Sequence, residues 1–142
     1  TRVAAGEFAR HRTDALSYLA EVIVLDQFSR QIYRGTAKAF SYDNLALSLA
    51  QHAIAAGYDQ QLDQGQRTFL YMPFMHSESR MIHEQAVLLF ESLGNDETLK
   101  FEIIHKDIID QFGRYPHRNE TLSRASTPEE KDYLANNQEA FF

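Results

Sequence analysis

Apolar residues recur along this chain at intervals of three and four, and Gly and Pro fall between the periodic stretches, the pattern of amphipathic helices with punctuated ends. From Thr13 to Gln31, Leu16, Leu19, Ile23 and Phe28 mark one stripe, which Val22, Val24 and Leu25 widen. So wide a stripe predicts a central, heavily buried helix, broken at Arg34-Gly35-Thr36. A second helix is expected over Asp43 to Ala56, with Leu45, Leu49, Ala53 and Ile54 on one face and Gly57 placed for a left-handed C-terminal cap. A third starts near Asp63 and carries Phe69, Leu70 and Met72 up to Pro73. Proline cannot donate to the carbonyl four residues back, so the helix is expected to stop or kink there. Ser77 offers an N-cap for a fourth, running to Leu93 with Ile82, Ala86, Leu89 and Phe90 inward and Gly94 closing it. Asn95 or Asp96 caps a fifth, with Leu99, Ile103 or Ile104, Ile108 and Phe112 along one side and Gly113 at its end. Thr127-Pro128-Glu129-Glu130 is a capping box with Pro at the first helical position, and it starts a short helix through Tyr133 and Leu134.

No alternating run of β-branched residues is flanked by turn dipeptides, so strands are not expected. The sequence therefore predicts one all-α domain over residues 1–142, of five or six helices. Short connections make successive helices antiparallel neighbours. Helical hairpins of this kind stack into a superhelix or close into a compact bundle, and no repeat period selects between them.

Composition narrows the partners. Apolar residues make up 44% and aromatics 12%, within the globular range. The apolar stretches are interrupted by Glu21, Asp26, His76 and Glu91, and none approaches the ~20 residues of a bilayer span, so no membrane partner is expected. A net charge of −6 argues against nonspecific nucleic-acid binding, which needs a basic surface. The absence of cysteine excludes disulfides and thiolate metal sites and leaves the cytosol as the default compartment. The chain opens Thr1-Arg2-Val3 without Met and without a charged-then-apolar leader.

Three segments carry more polar groups than packing requires. In Leu25 to Gly35, Asp26 and Arg30 stand four apart and can pair, either as a helix-end ion pair or with Arg30 or Arg34 turned to a pocket. Around Pro73, His76 and Glu78 stand at a helix break, where they serve as a base and its orienter or satisfy backbone groups. In Phe112 to Asn119, Arg114, His117, Arg118 and Asn119 follow a helix C-terminus. Guanidinium groups bind carboxylate or phosphate bidentately, so this is an anion clamp or else a loop whose arginines pair with Asp26, Glu78 or helix carbonyls. His83-Glu84 lacks the second His of a zinc-protease helix, since position 87 is Val. His105, beside Ile104, Ile108 and Ile109, is expected as a core histidine. No metal or cofactor is expected.

Taken together, Leu25-Asp26-Gln27-Phe28, Tyr33 through Phe40, Phe69 through Phe74, His76-Ser77-Glu78, Phe112 through Asn119 and Ser126 through Glu130 resemble the bacterial Domain of Unknown Function 924 family, over about Leu16 to Phe142. The resemblance implies a TPR-like α-α superhelix and an additional aromatic-rich segment preceding Thr1. It lends no substrate.

Two functions are expected. In the first, Arg30, Arg114, His117 and Arg118 bind a small anion, Asn119 orients it, Asp26 positions Arg30, and His76 with Glu78 supplies acid-base chemistry. In the second, stacked hairpins form a TPR-like adaptor for a peptide or protein. The first requires these groups to lie within about 10 Å of one another around a cavity.

Overall fold

The computed structural model describes residues 1–138, in which the regular elements are helical and no strand occurs. The last four positions of the domain expected over 1–142 lie outside the described residues. The main helices are α1 (Ala15–Ile23), α2 (Ser29–Ile32), α3 (Asp43–Ala55), α4 (Gln64–Met75), α5 (Arg80–Ser92), α6 (Asp96–Phe112) and α7 (Pro128–Asn136).

The caps explain most boundaries. Asp14 accepts from the Ser17 amide at α1, Asp63 from that of Gln66 at α4, and Thr127 from that of Glu130 at α7, each answered by the side chain three residues on. Asn95 accepts from the amides of Glu97 and Thr98 at the start of α6. Gly57 and Gly113 take φ of +76° and +73° after α3 and α6, a conformation that would strain a side chain with a Cβ.

Three local features differ from the sequence expectation. The first helix does not run as a continuous α-helix to Gln31: Val24–Phe28 forms a π-helical turn between α1 and α2. Its buried stripe is also narrower, for Leu16 and Phe28 are 59% and 51% exposed. Of the stop or kink expected at Pro73, the stop does not occur at the proline itself, which lies inside α4 two residues before its end at Met75. Burial of Phe74 and Met75 against the core holds that last turn, and the His76 amide still donates to Met72 O at 3.0 Å. Finally, α5 begins after Ser79, not Ser77, whose carbonyl bonds the His83 ring instead.

Connections of four residues between α4 and α5 and three between α5 and α6 fold each helix back along its predecessor, and these pairs pack together. Helix α1 packs on α3 and α4. Ala46, Ala50 and Ala53 give α3 a flat buried face, which lets the neighbouring helices approach closely around Leu19, Val22, Leu25, Leu70 and Phe90. A smaller cluster, Ile108, Ile109 and Tyr115 with Phe112 and Tyr133, seats the C-terminal segment on α6. No helix among the described residues is long and apolar enough to cross a membrane.

Candidate functional site

Five elements meet at one buried polar cluster. The π turn contributes Asp26, α2 contributes Arg30, the end of α4 contributes His76, and the first turn of α3 contributes Asp43. A 3-10 turn, Pro116–Arg118, adds the fifth group. A π turn widens the backbone by one residue and reorients the side chains after it, and here it accompanies an Asp26 that is completely buried. Asp26 Oδ1 lies 2.7 Å from His76 Nδ1 and 3.0 Å from Arg30 Nη1, and Gln27 donates to Oδ2 at 2.6 Å. Arg30 also forks onto Asp43, Nη1 to Oδ1 and Nη2 to Oδ2, both at 2.9 Å. Arg118 donates from Nη2 to His76 O at 3.0 Å, places Nη1 3.6 Å from Asp43, and lies between the rings of Phe40 and Tyr115, 4.5 and 4.6 Å from their centroids.

The electrostatics assign the protons. Burial pushes the Asp26 carboxyl up, but His76 and Arg30 outweigh it and hold it below the ordinary carboxylate value. Burial pushes the His76 imidazole down, with Arg30 and Arg118 adding to that effect against the pull of Asp26. Near neutral pH His76 is therefore neutral, and its Nδ1–H donates to ionised Asp26. Two carboxylates then balance two guanidinium groups. Arg30 Nε and Arg118 Nε are buried without a hydrogen-bond partner among the described residues.

The cluster forms one wall of a cavity of about 680 Å³. Arg30, Arg34, His76, His105 and His117 line it with Gln27, Gln31, Thr98 and Thr121, and Phe40, Met72, Met75 and Phe101 supply apolar surface. No Asp or Glu is among the described residues lining it. Burial pushes His105 down to about 3, so it is neutral, and its Nδ1–H donates to Phe101 O at 2.7 Å. It is buried, as expected, but it also borders the cavity. His117 Nε2 lies 2.6 Å from Asn137 O. Arg34 is exposed and bonds Gln31 at 2.8 Å.

The remaining sequence candidates are brought elsewhere. Glu78 does not orient His76. It accepts from the Tyr115 amide at 2.8 Å and from both terminal nitrogens of Arg124 at 2.8 and 2.9 Å. Arg114 forks onto Glu130 at 2.8 and 2.9 Å and reaches Ala125 O. Asn119 donates to Ser126 and Glu130 and accepts from Arg124. Arg114 and Asn119 tie the loop after α6 to the start of α7, Glu78 ties that loop to the α4–α5 connection, and none of the three lines the cavity. Of the eight candidates, the structure places Arg30, His76 and His117 on the cavity and Asp26 and Arg118 directly behind it. Asp43 belongs to the same cluster and was missed, its only sequence signal being an acidic residue in the first turn of a helix.

Glu130 gives a pH-dependent test of the loop clamp. Hydrogen bonds from Arg114 bring its carboxyl down to about 2 from an ordinary value of 4.5, against burial and with help from Thr127 and Asn119. A lowered folded-state pKa contributes stability above pH 4.5 that disappears as the pH falls towards 2. The melting-temperature advantage of the native protein over Glu130→Gln should thus be constant above about pH 5 and gone near pH 2. An advantage unchanged across that window would rule the clamp out as a titrating element.

A family model described as "Bacterial protein of unknown function (DUF924)" matches residues 1–138. The solved structure of a protein of unknown function from Agrobacterium tumefaciens is similar at 40% identity, with a TM-score of 0.90, over 95% of this chain and 76% of that one. No curated protein matches.

Proposed function

We propose a ligand-binding role for this chain, which belongs to the bacterial protein family DUF924: it holds a small anionic molecule in the cavity beside His76. One observation carries the reading. A chain with a net charge of −6 has a cavity whose described lining contains two arginines and three histidines and no carboxylate. Acidic residues are 20 of the 142 in the chain, so about two would be expected in a lining of this size, and an anion-binding function accounts for their exclusion. The volume of about 680 Å³ suits a ligand of small-molecule size. Phe40, Met72, Met75 and Phe101 favour a ligand with an apolar part as well as its charge.

Within this reading Arg34 joins the eight candidates, among which His76 borders the ligand directly. Arg34 meets the anion, Arg30, Asp26 and Arg118 hold the wall, and His117 borders the cavity with its Nε2 on Asn137 O. Arg114, Glu78 and Asn119 anchor the loop that carries His117. The cytosol is the compartment this reading takes for the protein.

The test is thermal unfolding of the full chain in the presence of inorganic phosphate, succinate, glutarate and phenyl phosphate. A ligand that binds only the folded state stabilises it by about 2.7 kcal/mol at a hundred times its Kd. Arg34→Glu should abolish the shift while leaving the unliganded melting point almost unchanged, because Arg34 is exposed. Equal stabilisation of the native and Arg34→Glu proteins would remove the cavity as the binding site.

A further inference from the structure

His76, at the C-terminal end of α4, and His83, in the first turn of α5, are both buried, yet their rings are used differently. Both ring nitrogens of His83 are engaged, Nδ1 by Glu102 at 2.6 Å and Nε2 by Ser77 O at 2.7 Å. That is how a structural histidine is satisfied. His76 is bound through Nδ1 alone, and its Nε2 has no hydrogen-bond partner among the described residues. Its main chain is fixed as well, by the bond from Arg118 to its carbonyl. The imidazole is thus oriented from behind by a carboxylate and borders a cavity on its other side.

We infer that the cavity is a hydrolytic site in which the His76–Asp26 pair draws a proton from water, and that its substrate is a carboxylic ester of a small anionic acid. This inference rests on the anion-binding reading of the same cavity. His76 Nε2 accepts the proton as the water oxygen bonds to the acyl carbon and the carbonyl electron pair moves onto oxygen. Collapse re-forms the carbonyl and breaks the bond to the leaving alcohol, which takes the proton back from Nε2. Products are the acid and the alcohol, and His76 returns to its starting state. Asp26 is a positioning residue, for it touches His76 and not the substrate.

One observation and the demands of the reaction select this chemistry. No side-chain hydroxyl among the described residues bonds His76 Nε2, so water rather than a serine or threonine is the nucleophile. A held base contributes most where a proton leaves the nucleophile in the transition state, as in acyl transfer. Phosphoryl transfer depends mainly on positioning and charge.

The experiment follows nitrophenolate release from the mono-p-nitrophenyl ester of glutaric acid and from neutral p-nitrophenyl acetate, using the full chain. The anionic ester should be the better substrate by at least about tenfold in kcat/KM, a preference that Arg34→Glu removes through KM. His76→Gln should lower kcat by roughly 10²- to 10⁴-fold. In the native protein kcat should rise through one ionisation below the ordinary histidine value and then level off, with burial, Asp26, Arg30 and Arg118 setting its position and the neutral His105 nearby. Asp26→Asn should displace that ionisation, which a merely structural contact would not do. If glutarate shifts the melting point and Arg34→Glu abolishes that shift, yet the ester turns over no faster than with His76→Gln, hydrolysis is wrong and anion binding stands. If none of the anions shifts the melting point, both fall. Should His76→Gln fail to fold, a native rate that climbs with hydroxide and never levels off overturns the inference by itself.

Discussion

Arg118→Ala is expected to lower the unfolding free energy by about 3–5 kcal/mol, seen as a fall of roughly 10 °C in melting temperature. The side chain is 4% exposed and does three things at once. It satisfies His76 O, lies near the Asp43 carboxylate, and fills the space between Phe40 and Tyr115. Alanine leaves that carbonyl and part of a carboxylate unpaired in a buried place and opens a gap between two rings. Arg118→Lys should recover little, because an ammonium cannot stack as a plane between rings while bonding at both ends. Urea unfolding measures both variants, and a loss under 1 kcal/mol for alanine would mean that the cluster is not a structural centre.

Asp43→Asn acts on the same cluster from the opposite sign. In the native protein Asp43 faces two guanidinium groups, Arg30 at 2.9 Å and Arg118 at 3.6 Å. Neutralising it leaves both cations against Asp26 alone, an uncompensated buried charge expected to destabilise by about 3–5 kcal/mol. Asp43 is only partly buried, so a small anion can approach from solvent. Added phosphate should therefore raise the melting point of Asp43→Asn by more than that of the native protein. Identical phosphate responses would show that the arginine pair does not accept an external anion in place of the carboxylate.

How much of the structure is legible in the sequence depends on distance along the chain. Helix periodicity and caps operate within a few residues, so Gly57, Gly113, Asn95 and the Thr127–Glu130 box are readable, and the all-α class with them. Asp26 and Arg30 are four apart on one helix turn, and the pairing that this spacing predicts is present. The contact that defines the cavity wall, Asp26 to His76, joins residues fifty apart. Nothing in the local pattern encodes it. Proximity in sequence suggests Glu78 as the partner of His76 instead, but the turn before α5 sends these side chains to different neighbours. Arg114 and Asn119 have the chemistry of an anion clamp, yet both are already occupied by Glu130, which lies beyond the motif that contains them. The π turn is invisible for a related reason: a single inserted residue barely disturbs a stripe as rich in apolar side chains as this one.

That inserted residue bears on how the chain tolerates change in length. Deleting one position between Val24 and Phe28 would restore regular backbone spacing and, by local criteria alone, make a better helix. It would also shift by about 100° the direction in which the downstream residues face, turning Arg30 away from Asp43 and, when the deletion precedes it, Asp26 away from His76. Regular helix geometry and the His76 pair therefore make opposite demands on this one turn. A length polymorphism there would be a marker of proteins that keep the scaffold while losing the site.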